Sequence, residues 1–230
     1  MGIEFDKELY DLVYPYVKDK LIFDAGANRG EVTKKFIDNG ARVLAIEPQK
    51  EVSVGDNFKG VLAIENVCLS DRVGEITFYK GDKKHTTIST CLNEWRKNHP
   101  STKWTEVKMK TNTLDNLIEK YGTPVFIKID VEGHEDKVLK GLSKRIDFVS
   151  FEFTQGFSES FYNSMKHIQK LGFKELTTFI KKKIKNTIDG KRRTVRAYKI
   201  MDNFMTIDSV LKFFDNLKKD EQGDILIRSF

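Results

Sequence analysis

The chain has 230 residues, 40 of them Lys or Arg and 34 Asp or Glu, with 39% hydrophobic residues and 17 Phe. That is enough apolar material for a single α/β domain spanning 1–230, and too much for a disordered chain. No run of 18 apolar residues marks a membrane span, no apolar leader core is visible, and two cysteines (Cys68 and Cys91) make no disulfide framework, so a reduced, cytoplasmic setting is expected.

The net charge of +6 is local. Between Lys174 and Lys199 stand ten basic residues against two acidic ones, and the remainder of the chain carries 30 and 32. A single C-terminal basic feature argues against a chain-wide nucleic-acid surface.

Leu9, Leu12, Val13, Tyr16 and Val17 recur at helical spacing, which predicts an N-terminal helix over 1–20. Leu21 to Phe23, ending at Asp24, is a short buried strand. A loop spans Gly26 to Gly30. Glu31 to Asn39 is a helix with Val32, Phe36 and Ile37 inward, and Gly40 stands at its C-cap. Arg42 to Ile46 is the second strand, so this stretch predicts a right-handed βαβ unit in a parallel sheet.

Val61 to Leu69 reads as a third strand, interrupted by Glu65 and Asn66. Glu75 to Lys80 and Thr105 to Thr111 alternate and read as added strands. Between them the polar stretch 81–104 is expected to be a lid or substrate loop. Thr113 to Tyr121 is a helix, Val125 to Asp130 a strand, His134 to Lys140 a helix stopped at Gly141, and Ile146 to Phe153 a further strand. A helix follows, through Phe161, Met165, Ile168 and Leu171. Phe173 to Ile180 and Thr194 to Met201 pair as a hairpin around a basic loop over 181–193. Ser209 to Leu217 is a late helix, and Asp224 to Phe230 a short extended tail.

Four clusters carry candidate chemistry. In Asp24-Ala25-Gly26-Ala27-Asn28-Arg29-Gly30 a strand runs through a glycine turn into a helix, whose N-terminus offers free N–H groups and a positive dipole end. Asn28 stands where a dinucleotide fingerprint has its second glycine, which disfavours a pyrophosphate. Glu47, followed by Pro48, ends the second strand, where a carboxylate can hold ribose hydroxyls. Lys128-Ile129-Asp130-Val131-Glu132-Gly133-His134-Glu135 sets five ionisable groups after a buried strand. Alternation puts Lys128 and Asp130 on one face, a costly placement without a task. Glu152 lies among aromatics, which raises a carboxyl's pKa and suits a base or a substrate clamp.

These blocks, with Phe151-Glu152 and Cys68-Leu69-Ser70-Asp71, resemble the FkbM-type methyltransferases from about Leu21 to about Phe153. The resemblance implies a Rossmann-like class I methyltransferase fold, which with the elements read above gives a central, mostly parallel sheet, flanking helices and a C-terminal antiparallel hairpin. It implies S-adenosylmethionine as donor and an oxygen acceptor on a sugar, glycan or other small hydroxylated molecule. Asp24, Gly26, Ala27, Asn28, Gly30, Glu47, Pro48, Cys68, Leu69 and Asp130 would then border the cofactor. Asp130, Glu152, Lys128, Glu132 and His134 are the catalytic candidates, with Asp130 and Glu152 favoured as base and Lys128 holding a substrate oxygen.

Asp130, Glu132 and Glu152 can offer hard oxygen ligands to Mg²⁺, but their spacing in sequence is loose, and Cys68 and Cys91 form no zinc pattern with the four histidines. No metal is assigned. His85, Thr86, Thr87, Ser89 and Thr90 suit hydrogen bonding to a polar acceptor. Trp95 and Trp104 either stack on a sugar ring or close the loop onto the core. The basic segment reads as a solvated hairpin tip, a site for an anionic acceptor, or, third, a nucleic-acid surface. The competing functions are an RNA methyltransferase or RNA-binding module and a NAD or nucleotide-sugar Rossmann enzyme.

Overall fold

A computed structural model describes residues 7–188, 191–219 and 221–229, with the side chains of 7, 8, 175 and 178–204 outside that description. Strands β1 (Leu21–Ala25), β2 (Arg42–Ile46) and β3 (Ala63–Glu65) run parallel with β7 (Phe126–Ile129) and β8 (Phe148–Thr154). Beyond β8 come β11 (Gln222–Arg228), then β9 (Glu175–Ile188) and β10 (Lys191–Met205). The sheet order is β10-β9-β11-β8-β7-β1-β2-β3. β11 is antiparallel to both neighbours, and β10 is antiparallel to β9. A three-stranded sheet stands apart in the order β4 (Cys68–Leu69), β6 (Trp104–Asn112), β5 (Gly74–Gly81).

Period-two alternation divides the core between the two faces of the large sheet. Phe23, Ala25, Leu44, Ile46, Ile127 and Ile129 join one buried cluster. Leu114 and Leu117 of α3 (Leu114–Tyr121), Val138 and Leu139 of α4 (Glu135–Lys140), Phe161 and Met165 of α5 (Ser158–Lys170), and Phe214 of α6 (Ile207–Asp215) cover it. Ile22, Val43, Phe126 and Phe148 turn the other way, under Leu9 and Tyr10 of α1 (Lys7–Asp11) and Phe36 of α2 (Glu31–Asp38). Each Val, Leu, Ile, Phe or Met side chain among these, fully buried, contributes roughly 1.5–3 kcal/mol.

Four expectations are revised. The 1–20 helix is one turn, α1, followed by a 3-10 turn at Tyr14–Tyr16; residues 1–6 lie outside the described residues. Pro15 lacks an N–H and disfavours helical backbone at Tyr14, and Leu12 and Tyr16 are exposed. The third strand is split: β3 pairs with β2, whereas β4 leaves for the small sheet, and the polar Asn66 falls in the gap. Residues 181–188 and 191–193 continue β9 and β10 rather than forming a loop, because β-branched Ile184, Thr187, Thr194 and Val195 carry the extended pattern through the lysines. Their side chains lie outside the described residues, as does the turn at 189–190. The C-terminal stretch is no tail. Ile225, Leu226 and Ile227 are fully buried, with β11 wedged between β8 and β9.

The chain leaves β1 toward β2 on one side, while β7 flanks β1 on the other. In open α/β sheets, ligands bind at such a reversal, outside the carboxyl ends of the strands.

Candidate active site

After β1 the chain turns at Gly26, whose φ of +81° glycine adopts at no steric cost. A Cβ there would lie 1.7 Å from the carbonyl oxygen of Asp130, so the exits of β1 and β7 pack backbone against backbone. Asn28 takes φ +45°, a left-handed conformation that asparagine tolerates. The turn therefore keeps its shape without a second glycine. Gly30 caps α2 at φ +76° and abuts the ring of Phe58.

Glu47, just past β2, is almost wholly buried. Its Oε2 accepts from the Asn28 N–H at 2.9 Å. Its Oε1 accepts from the Gln49 N–H at 2.8 Å and the Gln49 side-chain amide at 3.3 Å. A carboxylate has about four acceptor positions, so Oε2 retains one. Burial pushes the Glu47 pKa up, opposed by these bonds and by the Lys128 charge.

Asp24 and Lys128 are register partners on β1 and β7. Asp24 is fully buried; its Oδ2 accepts from the Thr33 hydroxyl at 2.6 Å. Lys128 Nζ lies 3.5 Å from Asp24 Oδ1 and 3.4 Å from Asp130 Oδ2. The ammonium thus bridges two carboxylates, one beneath the strand ends and one at them.

A cavity of ≈ 260 Å³ opens over these ends. Gly26, Ala27, Asn28, Glu47 and Pro48 line it from one side, and Val67, Cys68 and Leu69 from another. Lys128, Asp130, Glu132 and His134 complete the wall. Four segments distant in sequence, 26–28, 47–48, 67–69 and 128–134, therefore meet at one cavity. Asp24 and Gly30 are not on the wall and are corrected: Asp24 is sealed under the turn by Thr33 and Lys128, and Gly30 faces Phe58. The Cys91 thiol beside it, together with burial, pushes the Cys68 pKa up, so Cys68 stays a thiol.

The turn after β7 is tightly held. Glu132 has φ +57°, a conformation that costs a non-glycine residue about 1–2 kcal/mol. Glu135, buried, accepts from the N–H groups of Val131 at 3.1 Å and Gly133 at 3.2 Å. Burial and the Glu152 charge push its pKa up to about 8. His134 Nε2 lies 3.2 Å from the Ser70 hydroxyl, and burial lowers its pKa, so it is neutral at pH 7. Carboxylate oxygens of Asp130, Glu132 and Glu152 come within 4.8 Å of one another. Glu152 is not on the 260 Å³ cavity but on a smaller one beside it.

Gln49 had no readable signal in the sequence, and the hydroxyl-rich 86–90 cluster bonds to the rim itself. Gln49 donates to the Thr86 carbonyl at 3.1 Å and accepts from Ser89 Oγ at 3.2 Å, while Thr90 Oγ1 donates to the Glu132 carbonyl at 2.6 Å. These bonds stitch the 81–104 segment to the cavity rim. That segment carries 3-10 turns at Thr86–Ile88 and Asn93–Asn98 and buries Trp95 against Phe157, ring centroids 4.9 Å apart. Among the described residues, no helix is long and apolar enough to cross a membrane.

The fold is similar to that of a precorrin-6Y C5,15-methyltransferase from Geobacter metallireducens, with a TM-score of 0.53 at 9% identity over 100% of this chain and 98% of that one. An S-adenosylmethionine-dependent O-methyltransferase from Thermotoga maritima scores 0.44 at 10% identity, over 100% and 68%. A Dictyostelium discoideum protein named as a synaptobrevin homolog, YKT6, is 29% identical over 115 residues, 40% of this chain and 54% of that protein. The chain thus spans about half the length of that curated relative. Residues 24–175 match the methyltransferase FkbM domain, so the chain belongs to that family, whose methyl donor is S-adenosylmethionine.

Proposed function

We propose that this chain methylates a hydroxyl oxygen of a small polyhydroxylated acceptor, a sugar or glycan, using S-adenosylmethionine. The observation that carries the reading is the convergence of the Gly26–Asn28 turn, Glu47, the Val67–Leu69 edge and Asp130 on one cavity. The donor set suits the cofactor: a glycine turn with no side chain in the way, a buried carboxylate with an acceptor position open, and an apolar edge.

When bound, the cofactor supplies a positive sulfonium whose methyl is electrophilic. Around it the protein has four tasks. Glu47 accepts a ribose hydroxyl through Oε2. Val67, Cys68 and Leu69 border the base. Lys128 holds Asp130 in place through an ion pair of 3.4 Å. Asp130 or Glu152 would take the acceptor's hydroxyl proton, and the walls of the site would orient the nucleophile and keep water out. Lys128 is a positioning residue here rather than a substrate clamp, because its ammonium already faces two carboxylates.

Incubation with tritium-labelled methyl donor and a panel of glycosides tests the reading. Label in an ether-linked methyl of the glycoside is expected. Label transferred only to RNA, with affinity falling steeply in salt, or only to nitrogen, would replace it.

A further inference from the structure

A methyl acceptor needs a seat beside the donor, and a smaller cavity adjoins the large one across the turn at Gly133. Its volume is ≈ 10 Å³, enough for one water or one hydroxyl group. Gly133, Glu135 and Glu152 border it, so the turn that walls the large cavity on one side walls this one on the other. Its remaining surface is largely aromatic, including Trp95, Phe153 and Phe157.

Two of its lining side chains hold buried polar atoms with no hydrogen-bond partner: Nε1 of Trp95 and Oγ of Ser164. Trp95 is 6% exposed and Ser164 0%. Unpaired burial is costly, and nearly all such groups in folded proteins are satisfied. The indole N–H only donates, whereas the serine hydroxyl donates and accepts. A ligand oxygen can accept from the first and pair with the second. The indole has little freedom to turn elsewhere: a Cβ on Gly133 would sit 3.2 Å from its Cε3 and 3.0 Å from Leu92 Cδ2, and Phe157 packs on its ring.

Charge sets the class of ligand. Glu152 lines this cavity and lies within 4.8 Å of Asp130 and Glu132 at oxygen, whereas Glu135, also on its wall, keeps its proton near neutral pH. An anionic group arriving there meets like charge in a poorly solvated place, whereas a neutral hydroxyl or an ammonium does not.

We propose that this cavity seats one oxygen-bearing arm of the methyl acceptor through Trp95 and Ser164, and that the acceptor is a neutral or amine-bearing polyol. The proposal rests on the methyl-transfer reading and revises the expectation of an anionic acceptor.

The test is calorimetry on the full chain loaded with S-adenosylhomocysteine. The probes are methyl glucoside, methyl glucosaminide, glucuronic acid and glucose 6-phosphate, each titrated into wild type, Trp95→Phe and Ser164→Ala. The first two probes should bind, and the two anions at least about tenfold more weakly. Each variant should weaken glycoside binding about fivefold or more with cofactor affinity unchanged. If Trp95→Phe fails to fold by circular dichroism, Ser164→Ala decides. Equal or tighter binding of the anions, glycoside affinity unchanged in the folded variants, or no glycoside binding to a cofactor-loaded chain overturns the proposal. Failure of the wild type to bind cofactor at all would instead remove the methyl-transfer reading beneath it.

Discussion

The Asn28 N–H donates to Oε2 of Glu47 at 2.9 Å, which ties the glycine turn after β1 to the end of β2. The proposed ribose anchor is thus also part of the scaffold that shapes the cofactor turn. Glu47→Gln keeps an oxygen for the turn but loses charge, and Glu47→Ala loses both. The expected loss in cofactor affinity is about 1–3 kcal/mol for alanine and less for glutamine. Equal losses in the two variants, measured by calorimetry, would show that charge rather than turn geometry governs binding.

Gly26→Ala should be among the most damaging single changes in the chain. It forces an alanine into φ +81° and drives a methyl to 1.7 Å from the Asp130 carbonyl. A stability loss of more than about 2 kcal/mol is expected, with cofactor binding abolished. Urea unfolding midpoints check it; a change within about 0.5 kcal/mol would mean that β1 and β7 do not meet as described.

The Asp24–Lys128–Asp130 arrangement makes opposite predictions for its two ends. Asp24 has no exposure, so Asp24→Ala leaves Lys128, 7% exposed, short of one partner; the expected cost is about 3–5 kcal/mol in stability. Asp130 stands at the cavity, and Asp130→Asn should cut turnover far more than stability. Chemical denaturation paired with single-turnover rates separates the two. Asp130→Asn with wild-type turnover would end its assignment as a base.

Glu135 makes stability depend on pH. Its carboxyl titrates near 8 in the fold against an ordinary value of 4.5. Below about 4.5 both states hold the proton. Between there and about 8 the folded chain keeps a proton that the unfolded chain has lost, so stability falls as pH rises through this window and levels off above it. The expected drop is on the order of a few kcal/mol. Glu135→Gln, which retains an oxygen for the Val131 and Gly133 N–H groups, should lose most of that slope. Parallel profiles for the two proteins, from urea unfolding at several pH values, would contradict the assignment.

What could be read in the sequence was whatever local pattern determines. β1 and β2 follow from apolar runs, α2 from its period and its glycine stop, and the cavity-facing Glu47 and Asp130 from their positions at strand ends. The misreadings have physical causes. A single proline outweighed the helical spacing around Tyr14. A short apolar run at 225–227 carries no mark that it will slot between β8 and β9, because strand partners are set by long-range packing. Asp24 alternates correctly yet lies under the turn, since Thr33 one helix turn into α2 claims its carboxylate. Ser89 and Trp95 reach the site through a segment without periodicity, and Gln49 through the loop after β2, where no local pattern fixes side-chain direction.

Isothermal titration of S-adenosylmethionine into wild type and Glu47→Ala decides whether the cavity over β1, β2 and β7 holds the cofactor. Saturable binding to wild type, weakened about fivefold to 150-fold by the substitution and not matched by NAD, is the predicted result. No cofactor binding to the folded wild type, or equal affinity in both proteins, would contradict it.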